Sequence, residues 1–294
     1  MTEEKILIIG GGRIGSAIRH LLRSDLSHVS VLDKSPEKSV MRGSKEEILQ
    51  EAGIIFLCVP SAGLPQAIKD VNEFGAKSAK VVVLTKGMMD GDVFMHEFLK
   101  ENLLQDFYLL YGPMLAKEIC DGGYTGASLA GPAESHNRIL SLFDHEKLFL
   151  EADEDVAGTA VMGILKNVYT IMLSMVESSN LGDNFYGAMF TRIFGEAKEV
   201  VQYFNGEKAT VEGFAGLGDL VATSRSSFSS NKTFGTEMVK NGTCDIPAEG
   251  WKALPALLRR LGTFEKKLPV LLSIDKICLG KESLPEKIRE LLRG

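Results

Sequence analysis

The segment from residue 156 to residue 176, VAGTAVMGILKNVYTIMLSMV, carries a single charge, at Lys166. Apolar residues fall on almost every face of a helix drawn through it, which is typical of a helix buried on all sides. A lysine there must be paired, have a depressed pKa or line a cavity, because burying an unpaired charge is costly. We therefore take Lys166 as a candidate catalytic group. The alternative is that its side chain reaches solvent beside Asn167.

This segment is also long enough to cross a bilayer. A central lysine would cost roughly 2.5–3.5 kcal/mol there, and small and polar residues weaken the segment further. Acidic residues precede it at 151–155, with no basic flank. We expect the core helix of a soluble protein, with no membrane partner.

The composition limits the kinds of molecule that we expect the chain to bind. The chain has 294 residues and a net charge of −6, with no basic run of the kind that binds nucleic acid. Its four cysteines have no metal-binding or CxxC spacing, so we expect no metal site and reduced thiols. Residues 1–5 lead directly into an apolar run without a signal peptide, and we expect a cytoplasmic protein.

A glycine-rich motif stands between a strand pattern and a helix pattern. An apolar run at 5–9 precedes GGGRIG at 10–15, and helical spacing follows at 16–23. In such a turn the first glycine allows a tight bend, the second lets the backbone approach a pyrophosphate, and the third allows close helix–strand packing. The strand–turn–helix context makes this a dinucleotide-binding motif. Its candidate cofactor contacts are Gly10, Gly12, Arg13, Ile14 and Gly15.

A carboxylate follows the second strand pattern, at 28–32. Asp33 lies about 20 residues beyond the motif, where an acid accepts from the adenosine ribose hydroxyl of NAD and repels the 2′-phosphate of NADP. We expect NAD, while the adjacent Lys34 leaves NADP open. The alternative is that Asp33 only ends the strand and starts a turn with Ser35 and Pro36.

Further strand patterns alternate with helical patterns, which predicts a parallel, doubly wound sheet. The strands are at 54–59, 81–84 and 107–111, and the helices at 44–51, 61–72 and 93–103. Lys86 follows the fourth strand, at the carboxyl edge where such sheets bind ligands. It is a candidate contact to an anion or a carbonyl; alternatively, it is a solvated lysine.

The second half of the chain shows only long helical patterns, at 155–178, 187–205, 231–241, 248–262, 265–280 and 284–293. We therefore expect a dinucleotide-binding domain at 1–150 and an all-helical substrate and catalytic domain at 151–294. The acidic segment 151–155 forms the expected junction.

Two segments of the second half are rich in turn-forming residues. Glycines surround Asp219 within 210–223, and Asp219 would either cap a helix or pair with Lys166 and orient a substrate. The serine-rich segment 224–232 is either a solvated loop or a source of polar groups for an oxyanion. Those groups include Arg225, Asn231 and Lys232.

Taken together, these segments resemble the NAD-dependent glycerol-3-phosphate dehydrogenase family. The similarity runs collinearly through nearly the whole chain, in GGGRIG, FLCVPS, LTKGM, GPMLAKEI, GILKNV, GFAGLGDLVATS, NKTFG and AEGWKA. It implies an α/β fold with an N-terminal Rossmann-type doubly wound parallel sheet and an all-helical C-terminal domain. It also implies that Lys166 and Asp219 are catalytic, and that Lys86, Ala116 and Glu249 contact the cofactor.

The resemblance further implies hydride transfer between NAD(P)H and dihydroxyacetone phosphate, giving sn-glycerol 3-phosphate for phospholipid synthesis. Lys166 would polarise the ketone oxygen and deliver the proton, while Asp219 holds the lysine. A phosphorylated triose is the expected partner, and a homodimer is left open. The implied substrate contacts are Lys86, Gly112, Lys166, Asp219, Thr223, Ser229, Ser230 and Asn231.

The chain departs from the family at two positions. Ser230 replaces an arginine expected to hold the substrate phosphate, and Met114 replaces a small polar residue. Arg225 and Lys232 are the cations that could substitute. One alternative is therefore a relative that reduces a different small ketone or ketoacid. The other is a non-catalytic dinucleotide-binding sensor, although such a sensor would not need the lysines at 86 and 166.

Overall fold

The computed structural model, which describes residues 4–293, builds the first half of the chain on a seven-stranded sheet. Its strands follow the order β2-β1-β3-β4-β5-β6-β7 across the sheet. All neighbouring strands are parallel except β5 and β6. They are β1 (Ile6–Ile9), β2 (Val29–Leu32), β3 (Ile54–Leu57), β4 (Lys80–Val83), β5 (Phe107–Tyr111), β6 (Thr125–Ala130) and β7 (Leu148–Asp153).

Helices cover both faces of this sheet, so the doubly wound prediction is confirmed. One apolar core lies between the sheet and α2, α3 and α4, and the other lies between the sheet and α1, α5 and α6. The six helices are α1 (Arg13–Leu21), α2 (Lys45–Glu51), α3 (Leu64–Phe74), α4 (Met95–Asn102), α5 (Ala116–Cys120) and α6 (His136–Leu140). A small antiparallel hairpin, Met88–Met89 with Val93–Phe94, precedes α4.

The sheet is mainly parallel, as predicted, and departs from this arrangement at β6, which pairs antiparallel with β5. The chain between these strands contains only the five-residue helix α5, whereas the crossover to a parallel neighbour usually carries a longer helix. The sequence pattern also missed β6 and β7. Strand β6, TGASLA, has few β-branched residues and is completely buried by its surroundings.

Helices form the whole second half, and among the described residues no strand follows β7. The last strand extends to Asp153, within the segment predicted as the junction. The helices are α7 (Val156–Ser178), α8 (Asp183–Tyr203), α9 (Lys208–Glu212), α10 (Asp219–Arg225), α11 (Ser230–Asn241), α12 (Glu249–Leu261), α13 (Pro269–Cys278) and α14 (Leu284–Arg293).

Helix α7 is the central element of this half. Every residue from Gly158 to Val176 is buried except Lys166. By length and composition α7 could cross a membrane, but 83% of its most apolar window is buried inside the protein. It packs against α8, α11 and α12 in the core of this half.

The glycine-rich segment is helical rather than an open turn. A π-helical turn, Phe214–Gly218, joins α9 to α10. The backbone of α9 lies so close to position 216 that only glycine fits there, because a Cβ atom would lie 2.3 Å from the Val211 carbonyl oxygen. This packing places Asp219 at the first residue of α10, directed into the protein.

Candidate active site

The glycine turn after β1 has the geometry that a dinucleotide requires. Gly10 has a φ of +102°, a conformation that favours glycine. A Cβ atom at Gly15 would lie 1.9 Å from the Gly10 carbonyl oxygen, so α1 packs closely on this turn. Around Gly12, in contrast, no atom lies within 4 Å of such a Cβ. The amino end of α1, which begins at Arg13, therefore faces open space that suits a pyrophosphate.

Two cavities meet at this turn and share Gly12, Cys58, Val59 and Pro60. The first, about 570 Å³, extends over the ends of β1 and β2 and is lined by Asp33 and Lys34. The second, about 550 Å³, lies between the sheet edge and α7. It brings together the predicted residues Arg13, Ile14, Lys86, Met114, Ala116, Lys166 and Glu249.

The Asp33 carboxylate takes part in the turn after β2. Its Oδ1 accepts from the Ser35 amide at 2.9 Å, and its Oδ2 accepts from the Gly11 amide at 2.7 Å. The hydrogen bond from Ser35 holds the pKa of Asp33 below its usual value. The turn expected as the alternative is thus present, and the same side chain also lines the first cavity. Its role toward a cofactor remains a prediction.

Two lysines converge on one buried aspartate. Lys86 Nζ lies 2.6 Å from Asp219 Oδ2, and Lys166 Nζ lies 3.4 Å from Asp219 Oδ1. Thr223 lies one helical turn beyond Asp219, and its hydroxyl donates to Oδ1 at 3.2 Å and accepts from Lys166 at 3.2 Å. The Lys166 side chain is only 12% exposed, so it does not extend into bulk solvent.

Charge and burial have opposite effects on the pKa values of this cluster. Burial raises the pKa of Asp219, but the positive charges of Lys166 and Lys86 outweigh it, so the pKa lies below its usual value. Burial lowers the pKa of Lys86, and the Asp219 carboxylate only partly restores it. The aspartate is therefore ionised and keeps positive charge at the wall of the second cavity.

The carbonyl of Gly112 accepts from Lys86 Nζ at 3.2 Å, so this backbone site orients the lysine. Asn231 is buried behind the cavity: its amide donates to Asn167 Oδ1 at 2.9 Å, and its oxygen accepts from the Gly250 amide at 2.8 Å. Asn167 in turn donates to Glu249 Oε2 at 3.3 Å. This chain of amides fixes Glu249 at the cavity.

The serine-rich segment contributes less to the cavities than the sequence suggested. The Ser229 hydroxyl caps α11 by accepting from the Lys232 amide, and Ser230 is the half-buried first residue of α11. Lys232 Nζ lies 2.9 Å from Glu177, which is roughly 16 Å along α7 from Lys166. Arg225 lines a separate cavity of about 280 Å³. Neither cation lines the cavity that contains Lys166.

Two residues near the lysines were missed by the sequence reasoning. Asn167 directly follows Lys166, and its position in the ILKN motif could have identified it. Tyr111 ends β5 and places its ring beneath Lys86, with 5.1 Å between Nζ and the ring centroid. Its sequence pattern is that of any buried aromatic residue in a strand.

The chain is similar to known proteins of one enzyme family. Residues 34–137 match the model of the NAD-dependent glycerol-3-phosphate dehydrogenase N-terminus, and residues 155–289 match that of its C-terminus. The chain is 28% identical to a glycerol-3-phosphate dehydrogenase (NAD(P)+) of Ectopseudomonas mendocina, covering 100% of this chain and 96% of that protein. It is 25% identical to the one of Alcanivorax borkumensis, with the same coverage. The crystal structure of the Coxiella burnetii glycerol-3-phosphate dehydrogenase has the same fold, with a TM-score of 0.84, 22% identity and 99% of each chain covered.

Proposed function

Because this chain belongs to the NAD-dependent glycerol-3-phosphate dehydrogenase family, we propose that it catalyses hydride transfer between NAD(P)H and dihydroxyacetone phosphate. The product is sn-glycerol 3-phosphate, a phospholipid precursor. The observation that carries the proposal is the placement of Lys86 and Lys166, both paired with Asp219, at the cavity that Gly12 of the glycine turn also lines.

The residues at the turn fit a nicotinamide dinucleotide. The open space at Gly12 and the free amino end of α1 suit a pyrophosphate, and Asp33, which lines the first cavity, is proposed to accept from an adenosine ribose hydroxyl. Lys86, Ala116 and Glu249 line the other end. When bound, NAD(P)H supplies the hydride. The carboxylate of Asp33 favours NAD over NADP in this proposal.

The two ammonium groups retain hydrogen-bonding capacity for a substrate. Each has three N–H bonds. Lys166 donates to Thr223 and lies within ion-pair distance of Asp219, whereas Lys86 donates to both Asp219 and Gly112. One N–H on each lysine is then free for a ligand. We assign Lys166 as the group that polarises the ketone oxygen and donates its proton, and Lys86 as the group that holds the substrate.

The other residues act around these two lysines. Asp219 holds both ammonium groups, and Thr223 fixes the carboxylate. Gly112 positions Lys86. Asn231 positions the pair formed by Asn167 and Glu249. Ser229 and Ser230, at the start of α11, are proposed to face the substrate phosphate.

A second substrate class has its own support. The position where the family has an arginine is Ser230, and Arg225 and Lys232 both lie elsewhere. Among the described residues, the arginine that lines this cavity is Arg13, which lies at the glycine turn. With no second guanidinium among the described lining residues, we expect a smaller preference for phosphorylated over unphosphorylated ketones. We also propose that the protein is cytoplasmic and that it forms a homodimer.

The deciding experiment follows NADH oxidation by the purified chain with dihydroxyacetone phosphate, dihydroxyacetone and a panel of small ketoacids. Identification of sn-glycerol 3-phosphate as the product, with the highest kcat/KM for dihydroxyacetone phosphate, is the expected result. A higher kcat/KM for an unphosphorylated ketone would identify the second class. NADH binding without turnover of any ketone would instead support the sensor.

A further inference from the structure

Tyr111 links the chain segments that carry the two active-site lysines. Its ring is completely buried, with Lys86 Nζ 5.1 Å from the ring centroid. Its hydroxyl donates to the carbonyl of Thr85, the residue directly before Lys86. The same tyrosine thus contacts both the backbone that leads to Lys86 and the charged end of its side chain.

The ring also packs against α7. A Cβ atom at Gly163 would lie 2.7 Å from Tyr111 Cε2 and 3.7 Å from the Cβ of Lys86. Gly163 lies about one helical turn before Lys166, so the ring occupies space that only a glycine on α7 leaves open. Tyr111 therefore fixes the spacing between the sheet edge and the helix of Lys166.

We propose that Tyr111 is a positioning residue for substrate binding, which holds the Lys86 ammonium between its ring face and Asp219. The inference rests on the proposed function, because Lys86 is there the group that holds the substrate. A lysine has a flexible four-carbon side chain, and the Asp219 and Gly112 contacts act only at its tip. The face of an aromatic ring attracts an ammonium and is most effective where water is excluded. The anchored hydroxyl keeps this ring in place.

The test compares Tyr111→Leu, Tyr111→Phe and Tyr108→Leu with the wild type. Tyr108 lies on the same strand, is equally buried and points to the opposite face of the sheet, so it is a matched control for removing a buried tyrosine. We expect Tyr111→Leu to raise KM for the ketone about tenfold. Tyr111→Phe should restore most of this loss. Tyr108→Leu should lower the Tm without changing KM.

A double-mutant cycle shows whether Tyr111 acts through Lys86. In a Lys86→Met background, adding Tyr111→Leu should change kcat/KM by less than about twofold, because no ammonium remains above the ring. An equal tenfold loss in both backgrounds would overturn the proposal, as would a wild-type KM in Tyr111→Leu or the same KM increase in Tyr111→Phe. Each assay uses the ketone that the wild type turns over best. Failure of dihydroxyacetone phosphate as a substrate is thus distinguished from failure of this inference.

Discussion

The ammonium of Lys86 lies 2.6 Å from the carboxylate of Asp219, although the two residues are 133 positions apart in the sequence. Lys86 follows strand β4, and Asp219 begins helix α10. This contact joins the carboxyl edge of the sheet to the helical half of the chain. The arrangement of both active-site lysines therefore depends on one buried carboxylate.

Replacing Asp219 by asparagine should damage both activity and stability. The change preserves the shape of the side chain but leaves two partly buried ammonium groups without their counterion. We expect kcat/KM to fall at least about 100-fold and the free energy of unfolding to fall by about 3–5 kcal/mol.

The pH profile of Asp219→Asn gives a separate check. Burial already lowers the pKa of Lys86, and the Asp219 carboxylate opposes this effect. Without the carboxylate, Lys86 should lose its proton at lower pH, so the alkaline limb of the kcat/KM profile should move toward neutral pH. Unchanged kinetics and an unchanged alkaline limb would contradict the assigned role of Asp219.

Introducing Ser230→Arg should improve recognition of a phosphorylated substrate. A guanidinium at the start of α11 could bind a phosphate through two hydrogen bonds. We expect KM for dihydroxyacetone phosphate to fall about tenfold, with no change in KM for dihydroxyacetone. Ser227→Arg, at an exposed position on the preceding loop, is the control for adding a charge. An equal or higher KM in Ser230→Arg would reject this explanation.

Glu196 makes stability depend on pH in the helical half. This buried carboxyl on α8 accepts from the Val270 and Leu271 amides at 2.6 and 3.1 Å, where α13 begins. Burial raises its pKa to about 7, from an ordinary value of 4.5. The folded state thus binds the proton more tightly than the unfolded state. The stabilisation is complete below the ordinary pKa and is lost as pH rises through the folded pKa.

As the pH rises from about 4.5 to about 7, we therefore expect the wild type to lose on the order of 3 kcal/mol in its free energy of unfolding relative to Glu196→Gln. The variant has no carboxyl to ionise. Urea unfolding of both proteins across the window measures the difference. Glu199→Gln, an exposed change on the same helix, should follow the wild type. Parallel curves for the wild type and Glu196→Gln would refute the prediction.

Local sequence patterns were sufficient to select a candidate residue where that residue was unusual for its surroundings. A single charge in an apolar helix pointed to Lys166, and a lysine shortly after a strand, at the carboxyl edge of the sheet, pointed to Lys86. The strand–turn–helix context of the glycines predicted the shape around Gly12. In each case the physical reason acts within a few residues, so the sequence alone reveals it.

Other features depend on distant residues and could not be predicted in this way. Strand β6 is a strand because neighbours bury it, and the pairing of Lys232 with Glu177 depends on how α11 packs on α7. Tyr111 looks like an ordinary core residue until Lys86 and Gly163 are placed beside it. Tertiary packing, rather than local preference, decides these cases.

The most direct test of the account is Lys166→Ala, with NADH binding and turnover of dihydroxyacetone phosphate measured on the same preparation. The Lys166 side chain ends at Thr223 and Asp219 rather than at the glycine turn, so the Kd for NADH should stay within about threefold of the wild type. Turnover should fall by about 100-fold to 10,000-fold, because Lys166 is the group assigned to give the ketone oxygen its proton. A variant that binds NADH and turns over at the wild-type rate would contradict the central assignment.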